Sequence, residues 1–322
     1  MPVIQITNAY KGDVLEIVRK CAPDGFDVRV LEENTEAELI TRVGDADYIL
    51  ASGRVRIGRA VLESAKRLKM IQRTGVGLDS LDLDQIRAAG IPLYVNQGVN
   101  AQSVAEHAVL LILACLRRLT LADANSKRGI WKSKEQAIVT RELSGRTVGI
   151  VGLGNIGRRV AAILKAFDAQ VLYFDAFRRD TEAENALGIR YVPLEQLFRQ
   201  SDVVTLHCPL GSDTQALVNE RTLDQMKDGV VVVNTARGGL IDEAALLKAV
   251  ETGKVAFAGL DVHAREPYGA DDALVQSDHV IATPHIGGVT YDAFYQMISK
   301  AMENIRLFEQ GELDRIEPYR AL

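Results

Sequence analysis

Cysteine is scarce: Cys21, Cys115 and Cys208 lie far apart in a chain of 322 residues and are odd in number. A disulfide framework and a cysteine-built zinc cluster are therefore not expected, no metal site is suggested, and a reducing cytoplasm is the compartment that fits. Long apolar runs are missing as well. The longest, Val109 to Leu116, falls far below the roughly 18 residues that span a bilayer. The stretch Met1 to Thr7 reads as a short strand, without the basic start and apolar core of a secretion signal. Positive charge is in deficit, with 38 Lys and Arg against 43 Asp and Glu. No basic field is available for nucleic acid or an anionic membrane surface. An anionic substrate must then be gripped by individual arginines or backbone N–H groups. No tandem repeat or low-complexity segment occurs, and the eight prolines are scattered and mark no linker.

What the chain has is βα alternation. Val3–Thr7, Asp27–Glu32, Tyr48–Ser52, Met70–Gln72 and Leu93–Asn96 are strand-like, with helical patterns between them. Runs apolar on both faces favour a buried parallel sheet with crossover helices. Ser103 to Leu119 is apolar on nearly every side, the pattern of a helix buried on several faces. A second, longer βα series starts at Thr147, with strands expected near 170–175, 190–193, 203–208, 229–234, 255–262 and 278–283. The tail from Tyr291 to Gln310 is helical again and is expected to return to the first domain. The expected division is 1–100 with 291–322 as a discontinuous substrate domain, and 101–290 as a dinucleotide-binding domain inserted into it.

The strongest local signal is the strand from Thr147 running into Gly152-x-Gly154-x-x-Gly157 and then a helix. Gly152 allows the tight turn, Gly154 lets a pyrophosphate reach the backbone, and Gly157 lets helix and strand lie close. The free N–H groups and positive dipole end of the helix then face the phosphates. The next strand, Gln170 to Phe174, ends in Asp175, where a carboxylate can accept hydrogen bonds from an adenosine ribose. That carboxylate repels a 2′-phosphate, so NAD is expected over NADP, although Arg178 and Arg179 follow closely. The simpler reading of those arginines is a solvated turn.

Three later segments place polar residues just after strand ends, where ligands of open α/β sheets bind. Arg237 follows the run from Val230, and its planar fork suits the carboxylate of a keto acid. For a lone arginine a structural ion pair would be the simpler reading, and Asp242 is more simply a helix N-cap. Asp261 and Glu266 follow a second strand, and His285 a third. Carbonyl reduction needs a proton as well as a hydride, and histidine, with an ordinary pKa of about 6.5, can supply it. Glu266 is the expected partner of His285. Among the five histidines, His107 reads as a satisfied core residue and His207 as lining a cofactor cleft. His263 is the rival to His285, ranked below it because Pro284 and Gly287 suggest a fixed, exposed turn.

These residues resemble the D-isomer-specific 2-hydroxyacid dehydrogenase family, which includes phosphoglycerate, glycerate, D-lactate, formate and phosphite dehydrogenases. The resemblance covers most of the chain: Arg73-Thr-Gly-Val-Gly-Leu-Asp79, Asn100-x-x-Ser-Val-Ala-Glu106, the Gly152 turn, Asn234-Thr-Ala-Arg-Gly-Gly239, Gly259-Leu-Asp-Val262 with Glu266-Pro267, and Pro284-His285-x-Gly287-x-x-Thr290. It implies that Arg237 binds and polarises the keto acid, His285 is the general acid/base and Glu266 tunes it. It further implies that the N–H groups of Val76 and Gly77 meet the substrate carboxylate, and that Asp261 contacts the nicotinamide carboxamide. The cofactor-binding set expected is Gly152, Gly154, Asn155, Ile156, Gly157, Asp175, Pro209, Thr235 and Asp261. Arg54 is a candidate cation for the substrate. A homodimer built on the helix near Gln102 and the segment around Trp131 is also implied.

The fold class expected is α/β, with two doubly wound parallel-sheet domains, a Rossmann NAD-binding domain inserted into a flavodoxin-like substrate domain. Two positions depart from the family pattern: Gln97 stands where proline is common, and His263 where a bulky apolar residue often follows Asp-Val. The regulatory C-terminal domain of longer phosphoglycerate dehydrogenases is expected to be absent. The expected function is NAD-dependent hydride transfer at C2 of a small D-2-hydroxy or 2-keto acid. The rival is an NAD(H)-sensing module like the C-terminal-binding corepressors, which carry a similar triad.

Overall fold

In the computed structural model, which describes every residue except Arg54, the chain divides into two compact units. One comprises Met1–Asn100 with Thr290–Leu322, the other Ala101–Val289. Thr290 opens the last helix, Tyr291–Glu309, as its N-cap and accepts the Ala293 N–H.

The first unit holds five strands, β1 (Val3–Ile6), β2 (Asp27–Arg29), β3 (Tyr48–Ala51), β4 (Met70–Arg73) and β5 (Leu93–Tyr94). They lie in the order β2-β1-β3-β4-β5 and every pairing is parallel. This is the flavodoxin-like order, with the winding reversing between β1 and β3. Residues alternate across the sheet as a two-residue period requires: Ile49, Ala51 and Ile71 feed one apolar core, and Tyr48, Leu50 and Met70 the other. Helix Tyr291–Glu309 covers the second face with Ile298, Met302 and Ile305. A buried polar cluster fixes its position: Asn304 donates to Gln72 at 3.2 Å, Gln72 donates to Asn96, and Asn96 donates to the Met297 carbonyl at 2.9 Å. Such a cluster selects one register, because any slip would strand the buried donors now paired, although Asn304 Oδ1 itself has no partner.

The second unit holds β6 (Thr147–Val151), β7 (Gln170–Phe174), β8 (Ile189–Tyr191), β9 (Val203–Leu206), β10 (Val230–Asn234), β11 (Val255–Leu260) and β12 (Val280–Ala282). Their order is β12-β11-β10-β9-β6-β7-β8, again all parallel. From β6 outward this is the Rossmann order extended by one strand, and the winding reverses between β6 and β9. The four valines of β10 show why the sheet is covered twice. Val231 and Val233 enter one core, Val230 and Val232 the other, and complete burial of each stabilises by roughly 1.5–3 kcal/mol. Helix Ala101–Arg117 lies in the first of these cores, burying Ala105, Ala108, Leu111, Ile112 and Cys115. Both sheets are of the doubly wound class expected.

Several boundaries differ from the sequence reading. The second strand ends at Arg29, and the fifth stops at Tyr94 because beyond it the chain bonds instead to the C-terminal tail, Val95 N–H donating to the Tyr319 carbonyl. The apolar helix ends at Arg117 since Arg118 takes a left-handed conformation, φ 49°, and a new helix, Leu119–Lys127, starts at once.

Candidate active site

The Gly152 turn sits at the carboxyl end of β6, beside the reversal point of the seven-stranded sheet. Gly152 has φ +96°, and a Cβ there would lie 2.5 Å from the Cys208 backbone nitrogen. A Cβ on Gly157 would lie 2.1 Å from the Gly152 carbonyl oxygen, so only glycine lets the helix Asn155–Lys165 approach the turn. Gly154 is the opposite case: nothing lies within 4 Å of where its Cβ would be. The first-turn N–H groups of Asn155, Ile156 and Gly157 point out of the helix start without intrahelical acceptors, so this is a cradle for an anion. Asp175 reaches back from the end of β7 and accepts the Leu153 N–H at 2.6 Å and the Phe177 N–H at 2.9 Å. It braces the turn with acceptor capacity left over.

Beyond the reversal point, buried polar atoms stand without partners among the described residues. Three of them follow strand ends, His207 Nδ1 after β9, Thr235 Oγ1 after β10 and His263 Nε2 after β11, while Gln225 Oε1 lies at the end of a helix. Polar groups removed from water are normally paired, so a row of orphans along one sheet edge marks where a polar ligand belongs. Together with the open face at Gly154 and the acceptor at Asp175, these residues fit a dinucleotide. Pro209 follows in the same loop, its carbonyl accepting the Thr214 hydroxyl. Burial pulls the His207 imidazole down to about 3, so it is neutral and its Nε2 meets Thr205 Oγ1 at 2.9 Å.

The next strand ends carry Arg237, Glu266 and His285. Asn234, fully buried at the end of β10, accepts the Ala236 N–H and donates to the Arg237 carbonyl, which folds the turn that presents Arg237. Arg237 is half-buried and donates to the Ala236 carbonyl at 2.7 Å. A Cβ on Gly238 would collide with the His263 backbone at 2.0 Å, so glycine there lets the β10 and β11 loops touch. Glu266 bridges two groups. Its Oε1 accepts the His263 N–H at 2.9 Å, and its Oε2 meets His285 Nδ1 at 2.8 Å. With Nδ1–H given to the carboxylate, Nε2 is the nitrogen left to exchange a proton. The His285 side chain is 42% exposed, whereas His263 is 6% exposed and stacks edge-on against Tyr268. His285 also has φ +58°, an unfavourable backbone state of the kind that clusters at working sites.

Asp261 is 2% exposed and accepts from Thr283 Oγ1 at 2.6 Å and from the Ile286 and Gly287 N–H groups at 2.8 and 2.7 Å. Burial works to raise its pKa, but the bonds from His107, Thr283 and the two amides outweigh it and hold the carboxyl below its ordinary range. His107 is hydrogen-bonded, its Nε2 3.0 Å from Thr283 Oγ1.

Val76 and Gly77 lie in the loop after β4, in the first unit, with Val76 half exposed. Arg73 pins that loop, donating to the Gly77 carbonyl at 2.8 Å and the Gly53 carbonyl at 2.9 Å. Arg54 lies outside the described residues. Sequence reasoning gave no role to Arg73 or Asn234. An Asn closing a four-valine strand is a readable turn signal, whereas the reach of Arg73 across strands has none. Among the described residues no group of three or more His, Cys, Asp or Glu side chains could hold a metal, and no helix is long and apolar enough to cross a membrane.

The neutral His207, half-buried with its Nδ1 shut off from solvent, has a stability consequence. An unfolded histidine takes up a proton near pH 6.5, while the folded one waits until about 3, so in that window the unfolded chain binds more protons and stability falls as pH falls. Urea unfolding between about pH 5 and 6.5 should show a slope from this residue of up to about 1.4 kcal/mol per pH unit. His207→Gln should flatten that slope; an unchanged slope would contradict the burial of a neutral imidazole.

Comparison with known proteins agrees with this geometry. Residues 109–287 match the model of the D-isomer specific 2-hydroxyacid dehydrogenase, NAD binding domain. The chain is 39% identical over 290 residues to a D-3-phosphoglycerate dehydrogenase of Archaeoglobus fulgidus, a match spanning 90% of this chain and 54% of that longer protein. It is 38% identical to a hydroxypyruvate reductase of Thermotoga maritima, over 87% of this chain and 90% of the relative. In structure it resembles a D-lactate dehydrogenase of Aquifex aeolicus solved with NAD and lactic acid, with a TM-score of 0.87, 28% identity and coverage of 99% and 98%. The Rossmann sheet, its glycine cradle and the histidine–carboxylate pair thus belong to a chain that is a member of the D-isomer specific 2-hydroxyacid dehydrogenase family of NAD-dependent oxidoreductases.

Proposed function

We propose that the chain interconverts a small 2-keto acid and its D-2-hydroxy acid, with Arg237 gripping the acid and His285 moving the proton. The observation that carries this reading is the 2.8 Å bond from His285 Nδ1 to Glu266, which leaves Nε2 for substrate at the carboxyl edge of the Rossmann sheet. Bound nicotinamide supplies or accepts the hydride at C2. The Arg237 guanidinium draws charge toward the carbonyl oxygen and fixes the acid in place. His285 Nε2 then gives its proton to the developing alkoxide, while Glu266 holds the ring through Nδ1. In the hydroxy-acid direction the same nitrogen takes the proton back. The N–H groups of Val76 and Gly77 are assigned to the substrate carboxylate, as the family resemblance implies.

We read the cofactor as NAD in preference to NADP. Asp175 stands at the end of β7, where a ribose-binding carboxylate that repels a 2′-phosphate is expected, and Arg178 is committed elsewhere, bonded to Glu184 at 2.9 Å and lying over the Tyr191 ring at 5.0 Å. Arg179 bonds the Leu153 carbonyl. The thiols Cys21, Cys115 and Cys208 are all free, which suits a reducing cytoplasm. A homodimer is part of the same proposal. Within the second unit Leu110, Leu119, Trp131 and Ile138 are 54%, 52%, 87% and 75% exposed, an apolar surface that a second copy would cover.

Two outcomes are expected. With hydroxypyruvate or glyoxylate as acceptor, His285→Ala should lower kcat by about 10²–10⁴-fold. Arg237→Ala should raise KM and lower kcat by about 10²-fold or more. NADH affinity, read by fluorescence, should stay near wild type in both. Wild-type kcat in either variant removes that residue from the chemistry. By light scattering the chain should have twice its own mass, and the double variant Trp131→Glu, Ile138→Glu should be monomeric; a monomeric wild type would refute the dimer.

A further inference from the structure

Helix Ala101–Arg117 touches the acid/base turn at two points one helical turn apart. Ser103 Oγ donates to the Gly287 carbonyl at 2.7 Å, and four residues later His107 Nε2 lies 3.0 Å from Thr283 Oγ1 and 3.4 Å from Asp261 Oδ1. The protons can be placed. Thr283 has one hydroxyl hydrogen, and its 2.6 Å bond to the Asp261 carboxylate uses it. His107 must therefore be the donor to Thr283 Oγ1, through Nε2–H. The chain of bonds runs from His107 through Thr283 to Asp261, whose two oxygens then accept the Ile286 and Gly287 N–H groups. Those are the two residues directly after His285, the residue held at φ +58°. A strained backbone state of this kind persists only where its surroundings over-determine it.

We propose that His107, with Ser103, is a positioning group for the proposed acid/base residue: it holds the 283–287 turn in the one conformation that aims His285, and never touches substrate. The inference rests on the acid/base reading of His285. A histidine on the apolar helix Ala101–Arg117 is thus more than a satisfied core residue. Its donor sets the hydroxyl of Thr283, the hydroxyl sets the carboxylate of Asp261, and the carboxylate sets the two amides. The chain enters the second unit at Ala101 and leaves it at Val289, so the Ser103–Gly287 bond also ties its entry to its exit.

The test uses the full-length chain with His107→Leu, which removes the donor, and His107→Gln, whose amide can replace it. In His107→Leu, amide exchange at Ile286 and Gly287 should quicken by about tenfold or more. In the same variant kcat should fall about tenfold or more, with a larger solvent isotope effect, because a misaimed donor slows proton transfer. His107→Gln should recover most of both losses. If His107→Leu is insoluble, Ser103→Ala should show the same pair of changes in weaker form. Unchanged exchange in the variants overturns the proposal, and so does faster exchange with wild-type kcat and isotope effect. A fully active His285→Ala would instead sink the acid/base reading, while leaving the exchange result intact.

Discussion

Winding reverses between β6 and β9, and at that point the strand ends are crowded from below and open from above. The crowding is severe: a single added carbon at Gly152 would meet the Cys208 backbone at 2.5 Å, and one at Gly157 the Gly152 carbonyl at 2.1 Å. Close approach of helix Asn155–Lys165 to the sheet places unpaired N–H groups and the positive end of a dipole at the sheet edge. No lysine is required there, which agrees with a chain that carries a net negative charge. Everything further along the edge, from His207 to Thr235 to Arg237 and His285, follows from strands added outward from that reversal. His207 Nδ1 and Thr235 Oγ1, buried without partners, follow the strand ends along this line, and a bound dinucleotide would supply the partners they lack.

Asp261 plays the corresponding part for the turn that bears His285. Removing a carboxylate from water is costly unless several donors surround it, and here a hydroxyl, two amides and an imidazole do so. The outcome is a charged group held ionised inside the second unit, with the turn bearing His285 folded around it. Glu266 works at the next level, anchored by the His263 N–H and aimed at His285. The two carboxylates have different contacts: one holds the backbone of the turn, the other holds the ring.

The sequence made the glycine cradle, Asp175, Arg237, Glu266 and His285 legible because each sits at a strand end with a spacing that few other folds produce. The valine runs made the sheets legible for the same reason. Less could be read where the signal is long-range or weak. Helices Leu119–Lys127 and Ser133–Val139 bury no residue, so they carry no strong apolar period and read as a polar stretch. Arg73 acts through carbonyls of two separate loops, at Gly53 and Gly77, and His107 through a hydroxyl 176 residues away. In sequence such residues look like an ordinary surface arginine and an ordinary core histidine. Their roles exist only after the chain has folded.

The central claim is that this edge binds NADH and reduces a 2-keto acid. Its most direct measurement is NADH oxidation at ~340 nm by the purified chain with glyoxylate, hydroxypyruvate, pyruvate and phosphohydroxypyruvate, each repeated with NADPH. The account predicts rapid turnover of at least one acid, with NADH favoured over NADPH. Tight NADH binding with no turnover of any acid would contradict it and point to a protein that senses the cofactor.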